Sequence, residues 1–309
     1  MLNRSPFHRS WAILLIAAGA GCGSEIRTFE VAAYEIHPDS EPWHLTRAGG
    51  SAPVDGRVCI IDSGIDPGHP DLLVDAEASR SFVSRGPERG DIRDRNGHGT
   101  HVAGTVAALD NGFGATGVAS GALIVAIKVV NGRGQGYSRD VVRGIRYAAS
   151  LRKDGSRLCD VANLSISAVG DPAVDKAVRW ASQRIPFVLS AGNKGTDVSD
   201  VSPARVNAKQ VYTVTAIAKG DRWPMFSNFG PGTVDFAAPG VRIRSTWKDG
   251  GYKTISGTSS AAAHVTGMLL RGSPVPDGFV RDPRGDWYAI PIAPGLDDEA
   301  APALASARK

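Results

Sequence analysis

A chain of 309 residues allows one large domain or two small ones. Its 42% hydrophobic and 21% charged residues form an ordinary globular mixture, which excludes a wholly disordered chain, and its three cysteines exclude a disulfide-dense scaffold. The 35 basic against 31 acidic residues leave a formal charge of +4 dispersed along the sequence, so nothing in the composition points to nucleic acid.

In chain order, residues 1–21 come first. They carry Arg4, His8 and Arg9, then an apolar run from Trp11 to Gly21, with no acidic residue. A basic flank before a short apolar run reads as a secretory signal peptide, too short to span a bilayer. Gly19, Ala20 and Gly21 lead into Cys22, which resembles the bacterial lipoprotein processing site, where the cysteine becomes the lipidated first residue. Gly19 stands where that site usually has Leu, so cleavage by ordinary signal peptidase is the alternative. The expectation is export, with the chain secreted or lipid-anchored through Cys22 at the cell surface or in the periplasm. Cys59 and Cys159 are then an even number in an oxidising compartment. A bridge between them is conceivable, but two small buried hydrophobes is the preferred reading.

Residues 22–41 are polar and read as a linker or short pro-segment. From Arg57 onward, strands and helices alternate. Val58–Ile61, Leu123–Val130, Val161–Ile166, Phe187–Leu189 and Val211–Ile217 read as buried parallel strands. Helices are expected over Gly99–Leu109, Ser138–Leu151 and Pro172–Arg184; in the second, Val141, Val142, Ile145 and Ala149 share one face. The alternation predicts an α/β fold, a three-layer sandwich with a mostly parallel central sheet. A domain over 42–272 is expected to end at Gly272, before an irregular tail at 273–309.

Three motifs carry chemistry. Asp62 closes the run Val58-Cys59-Ile60-Ile61, at the carboxyl end of a parallel strand where open α/β sheets place ligand sites. Alone, an acid there is more often a cap or turn residue. His98 follows a glycine and opens an apolar helix in His98-Gly99-Thr100-His101-Val102-Ala103-Gly104-Thr105. Ser259 opens another helix, where free backbone N–H groups favour negative charge. The order Asp, His, Ser differs from that of chymotrypsin-like enzymes and α/β-hydrolases.

With these motifs, with Ser190-Ala191-Gly192-Asn193 and with Gly257-Thr258-Ser259, the sequence resembles the subtilisin-like serine proteases from about Pro42 to Met268. The resemblance implies a subtilisin-like fold and hydrolysis of polypeptides through an acyl-enzyme. Ser259 would be the nucleophile, His98 the general base, Asp62 its orienting acid and Asn193 an oxyanion donor. Leu164, Ser165, Ile166 and Ser167, following Asn163, would form a substrate-pairing strand, and Ser190, Ala191 and Gly192 a pocket wall, with Val201 near the pocket base. It also implies a structural calcium ion held by Asp71 and Asn111 through side chains and by Leu109, Phe113 and Ala115 through carbonyls; a tight glycine turn without an ion is the alternative.

Other patterns fail on context. His98 and His101 lack the spacing and the Glu of a metalloprotease helix, and Gly112-Phe113-Gly114-Ala115-Thr116-Gly117 leaves a helix rather than a strand, which excludes a dinucleotide fingerprint and an organic cofactor. His101 and His264 are expected inside the fold, His44 and His69 at the surface or in turns. Ser260 and Ala263 replace the family's Met and Pro, no folding-assisting prodomain separates Cys22 from the matched region, and the pattern stops at Pro274. These departures keep open a catalytically silent protein that binds peptides or partners.

Overall fold

The computed structural model describes residues 34–35 and 42–295. The expected signal peptide, Cys22 and nearly all of the 22–41 linker lie outside these residues. Among the described residues no helix is long and apolar enough to cross a membrane.

The expected strands and helices all form. In chain order the strands of the central sheet and of one separate hairpin are β1 (Arg57–Asp62), β2 (Arg80–Ser81), β3 (Leu123–Lys128), β4 (Val161–Leu164), β5 (Phe187–Ser190), β6 (Val211–Ile217), β7 (Val234–Pro239), β8 (Ile243–Trp247), β9 (Gly251–Ser256), β10 (Val275–Arg281) and β11 (Trp287–Ile292). The longer helices are α1 (His98–Ala107), α2 (Ser138–Ala148), α3 (Pro172–Ala181) and α4 (Thr258–Arg271). Nine strands form one sheet in the order β10-β11-β7-β6-β5-β4-β1-β3-β2. Every neighbouring pair is parallel except β10 with β11.

Period-two alternation along the strands builds two cores. Val58 and Ile60 of β1 and Ile124 and Ala126 of β3 join α1 and α4 on one face. Cys59, Ile61, Val125 and Ile127 point the other way, into a core with α2 and α3. This is the predicted three-layer arrangement. The α3 helix begins with Pro172 after Asp171, whose carboxylate accepts the N–H groups of Ala173 at 3.1 Å and Val174 at 3.2 Å. The separate β8–β9 hairpin lies on α1, where Thr246 Oγ1 donates to the Thr100 carbonyl at 2.7 Å.

Three expectations are corrected. First, Cys59 and Cys159 are disulfide-bonded, with Cα atoms 5.7 Å apart. The register pairs Val58 with Val161, which brings Cys159, just before β4, beside β1. Second, the expected irregular tail contains a hairpin: β11 pairs in parallel with β7 and antiparallel with β10. Its turn is ordered by Asp282, which accepts the N–H groups of Arg284, Gly285 and Asp286 at 2.8 to 2.9 Å and the Tyr288 hydroxyl at 3.1 Å. Val280, Tyr288 and Ile290 face inward. Third, His44 and His69 are buried rather than at the surface, although His69 does lie in a turn, its N–H donating to the Asp66 carbonyl at 3.3 Å. His44 sits in a five-residue helix, Trp43–Arg47, and contacts His264; His69 Nε2 donates to the Gly251 carbonyl at 2.9 Å.

Candidate active site

The carboxyl edge of the sheet delivers two groups to one place. Asp62 is the last residue of β1 and His98 the first of α1. His98 Nδ1 donates to Asp62 Oδ1 at 2.8 Å, with both side chains almost wholly buried. The Ser63 N–H donates to the same oxygen at 2.7 Å. With Nδ1 carrying the proton, His98 Nε2 is the lone-pair nitrogen, and it is buried without a hydrogen-bond partner. An imidazole held in one tautomer with its other nitrogen unused can accept a proton.

The start of α1 depends on close backbone approach. Gly97 has φ +105°, and a Cβ there would lie 2.2 Å from the Trp247 indole. A Cβ on Gly99 would lie 2.2 Å from the Gly64 carbonyl.

Asp94 was not singled out from the sequence, yet it organises this corner. Its carboxylate accepts from the Ser63 hydroxyl (2.9 Å), from the N–H groups of Asn96 (3.0 Å), Gly97 (2.8 Å) and Thr100 (2.9 Å), and from the Thr100 hydroxyl (2.8 Å). Ser63 Oγ in turn accepts the Gly99 N–H at 3.0 Å. Asp94 thus serves as a remote N-cap for the helix that carries His98. Its only sequence signal is an acid four residues ahead of that histidine.

Ser259 is the second residue of the buried helix α4, and its Oγ lies 3.4 Å from the Ser165 carbonyl, just past β4. The N-terminal turn of α4 is tied to the loop after β5. The Gly192 N–H donates to Thr258 Oγ1 at 3.0 Å, and Asn193 Oδ1 accepts the Thr258 N–H at 2.8 Å and its hydroxyl at 3.0 Å. With its oxygen engaged by Thr258, the Asn193 amide is held at the start of α4. Thr258, which the sequence motif Gly257-Thr258-Ser259 contains without a role of its own, is therefore a second organising residue.

Leu164 closes β4, followed by Ser165, Ile166 and Ser167; Ser190 closes β5, followed by Ala191 and Gly192. Both expected walls thus lie on adjacent strands at the edge that carries Asp62. Val201 is half-buried and pairs with Val169 in a short antiparallel ladder. A Cβ on Gly192 would reach 3.7 Å from Val201 Cγ1, which sets Val201 beside that wall.

The residues expected around calcium converge but bond to one another. Asp71 accepts from Asn111 Nδ2 at 3.0 Å, from the Ala115 N–H at 3.0 Å and from the Tyr252 hydroxyl at 2.7 Å. Asn111 Oδ1 accepts the Phe113 N–H at 3.0 Å, so its NH2 group rather than its oxygen faces Asp71. The Arg244 guanidinium donates to the Gly114 carbonyl in the same loop and lies 4.9 Å over the Tyr252 ring. Burial and the adjacent Asp71 push the Tyr252 phenol well above its usual range. This donor set, with one carboxylate already satisfied by three donors and an arginine against the loop, does not fit a calcium ion. Among the described residues no group of three His, Cys, Asp or Glu side chains could hold a metal.

Behind the site, His101 and His264 are buried as expected. The Ser260 carbonyl accepts from His264 Nδ1 at 2.8 Å, so His264 Nε2 accepts from His44 Nδ1 at 3.0 Å. Burial lowers His264 to about 4 and His101 to about 3, and also depresses His44.

Known proteins share this arrangement of sheet and helices. A family model described as the Subtilase family matches residues 55–271. Subtilisin-like protease 2 of Pseudogymnoascus destructans is 37% identical over 261 residues, covering 78% of this chain and 61% of the relative. Subtilisin BL of Lederbergia lenta is 37% identical over 271 residues, covering 84% and 91%. A crystal structure of a cold adapted subtilisin-like serine proteinase superposes with a TM-score of 0.69 at 32% identity, covering 82% of this chain and 98% of that one. With the family match spanning most of the chain and a relative matched over nearly its full length, this chain belongs to the subtilase family.

Proposed function

We propose that the protein is an exported serine endopeptidase that cleaves polypeptides through an acyl-enzyme. The observation that carries this reading is the buried Asp62–His98 hydrogen bond of 2.8 Å, which leaves His98 Nε2 without a partner. Ser259 Oγ attacks the scissile carbonyl carbon as its proton passes to His98 Nε2. The oxyanion takes hydrogen bonds from the Ser259 N–H and the Asn193 NH2 group, helped by the positive end of the α4 dipole. His98 then hands the proton to the departing amine, and water releases the acyl group by the same route in reverse. Asp62 holds the tautomer throughout and stabilises the imidazolium. Peptide backbone would lie along residues 164–167, and Ser190, Ala191 and Gly192 would face its side chain.

Export is supported by the Cys59–Cys159 disulfide, which belongs to an oxidising compartment. Lipidation of Cys22 is the anchored form of the same reading. The test is a fluorophosphonate probe on the purified chain, with the adduct located by mass spectrometry. Labelling is expected at Ser259 and absent in Ser259→Ala, and Asn193→Ala should lower kcat by roughly 10² to 10³. No adduct on a folded chain would make it a silent peptide-binding member of the family.

A further inference from the structure

Charges dispersed along the sequence are sorted by the fold. Every exposed charged side chain on α2 and α3, the outer layer away from Ser259, is cationic: Arg139, Arg143 and Arg146 on α2, Lys176 and Arg179 on α3. The one acid of each helix, Asp140 and Asp175, is buried, and each is within ion-pair distance of an arginine. Arg184, just past α3, adds a sixth exposed cation to a face of a chain whose whole formal charge is +4.

Aromatic rings hold these like charges side by side. Arg143 lies 5.2 Å over Phe82 and Arg80 5.8 Å over Tyr147, two rings that touch at 5.5 Å. Trp180 of α3 takes Arg184 at 3.9 Å and Arg146 of α2 at 6.0 Å, joining the two helices across their groove. The electron-rich ring faces offset the mutual repulsion, so the cations crowd into one field.

We propose that this face docks the protein peripherally on a bilayer rich in anionic phospholipid. Two helices of 11 and 10 residues lie alongside each other, so the cations spread over a paired-helix surface rather than along a single helix. At the C-terminal end of this layer, Leu151 and the amphipathic Trp180 are 68% and 39% exposed beside the arginines, a composition suited to the headgroup boundary. Crossover helices run antiparallel to their strands, which puts that end at the amino edge of the sheet. Asp62 and Ser259 sit at the carboxyl edge, and Ser259 belongs to the opposite helical layer. A docked molecule therefore keeps its site open to solvent. The inference does not depend on catalytic activity.

The test is co-sedimentation of the full chain, carrying Cys22→Ser so that no acyl chain contributes, with vesicles of phosphatidylcholine alone or mixed with phosphatidylglycerol. The apolar N-terminal run is common to all samples, so the lipid and charge dependence reads the face. Partition is expected to rise with phosphatidylglycerol and fall in high salt. The variant Arg143→Gln/Arg146→Gln/Lys176→Gln should lose it by roughly a hundredfold, each cation being worth about fivefold. Its thermal unfolding and peptide hydrolysis should match the parent, which separates lost docking from lost folding. Equal partition onto both vesicles, or an unaffected triple variant, would overturn the proposal. Binding to heparin or duplex DNA at least as tight as to the anionic vesicles would assign the face to a soluble polyanion instead.

Discussion

At the residue scale, the imidazoles behind α4 make the molecule sensitive to acid. His264 titrates near 4 and His101 near 3 when folded, against about 6.5 for a free imidazole, because burial penalises their charged forms. Between about pH 6.5 and 4 the unfolded chain binds protons that the folded chain does not, so stability is complete above that window and is lost as pH falls through it. The slope is on the order of 1 kcal/mol per pH unit for each such group. Calorimetry over a pH series should show Tm level near pH 7 to 8 and falling below about 6.5, with a shallower fall in His264→Gln; an unchanged slope in that variant would assign the acid sensitivity elsewhere. His101 and His264 were legible as interior residues because each lies in an apolar helix. His44 was not, since its burial depends on His264, 220 residues away. Asp94 was equally hidden: it is one of several acids in a polar loop, and only the folded turn directs five donors onto it.

At the element scale, the strands announced by runs of Val, Ile and Leu form where expected, because parallel strands covered on both faces need nearly continuous apolar sequence. The β10–β11 hairpin escaped notice for the converse reason. Pro276 and Gly278 break the apolar pattern, yet they sit within β10 where its register with β11 shifts between Pro276 and Phe279. The Cys59–Cys159 bridge runs against the preferred reading of two unpaired cysteines because pairing depends on strand register, which spacing in sequence does not reveal. It closes a loop of 100 residues between two neighbouring strands of the central sheet. Cys59→Ala/Cys159→Ala should therefore lose about 2 to 5 kcal/mol, read as a lower midpoint in urea. A midpoint equal to that of the parent would show that the sheet alone fixes these strands.

At the scale of the whole molecule, the hairpin completes the sheet and a third, smaller core. Val280, Tyr288 and Ile290 pack with Ala191, Val198 and Ile217, so this core reaches the loop that carries Asn193. The Tyr288 hydroxyl accepts the Gly230 N–H at 3.1 Å, and Arg47 pairs with Asp277 at 3.0 Å, tying the hairpin to the body at both ends. Truncation after Gly272 would expose the edge of β7 and forfeit burial on the order of 5 kcal/mol. Tm should fall by about 10 to 20 °C, with peptide hydrolysis declining alongside. A truncated chain as stable as the parent would show the hairpin to be an appendage.

The distance along the chain between the site's parts has a temporal consequence. Asp62 and His98 are both made within the first third of the sequence, whereas Ser259 arrives only on α4, after seven of the nine strands of the central sheet, all but β10 and β11, have been laid down. A chain growing on the ribosome therefore holds its base and orienting acid long before it holds anything for them to activate. By the chemistry proposed here, synthesis itself keeps each molecule inert towards its neighbours until the sheet that confines the site is nearly complete.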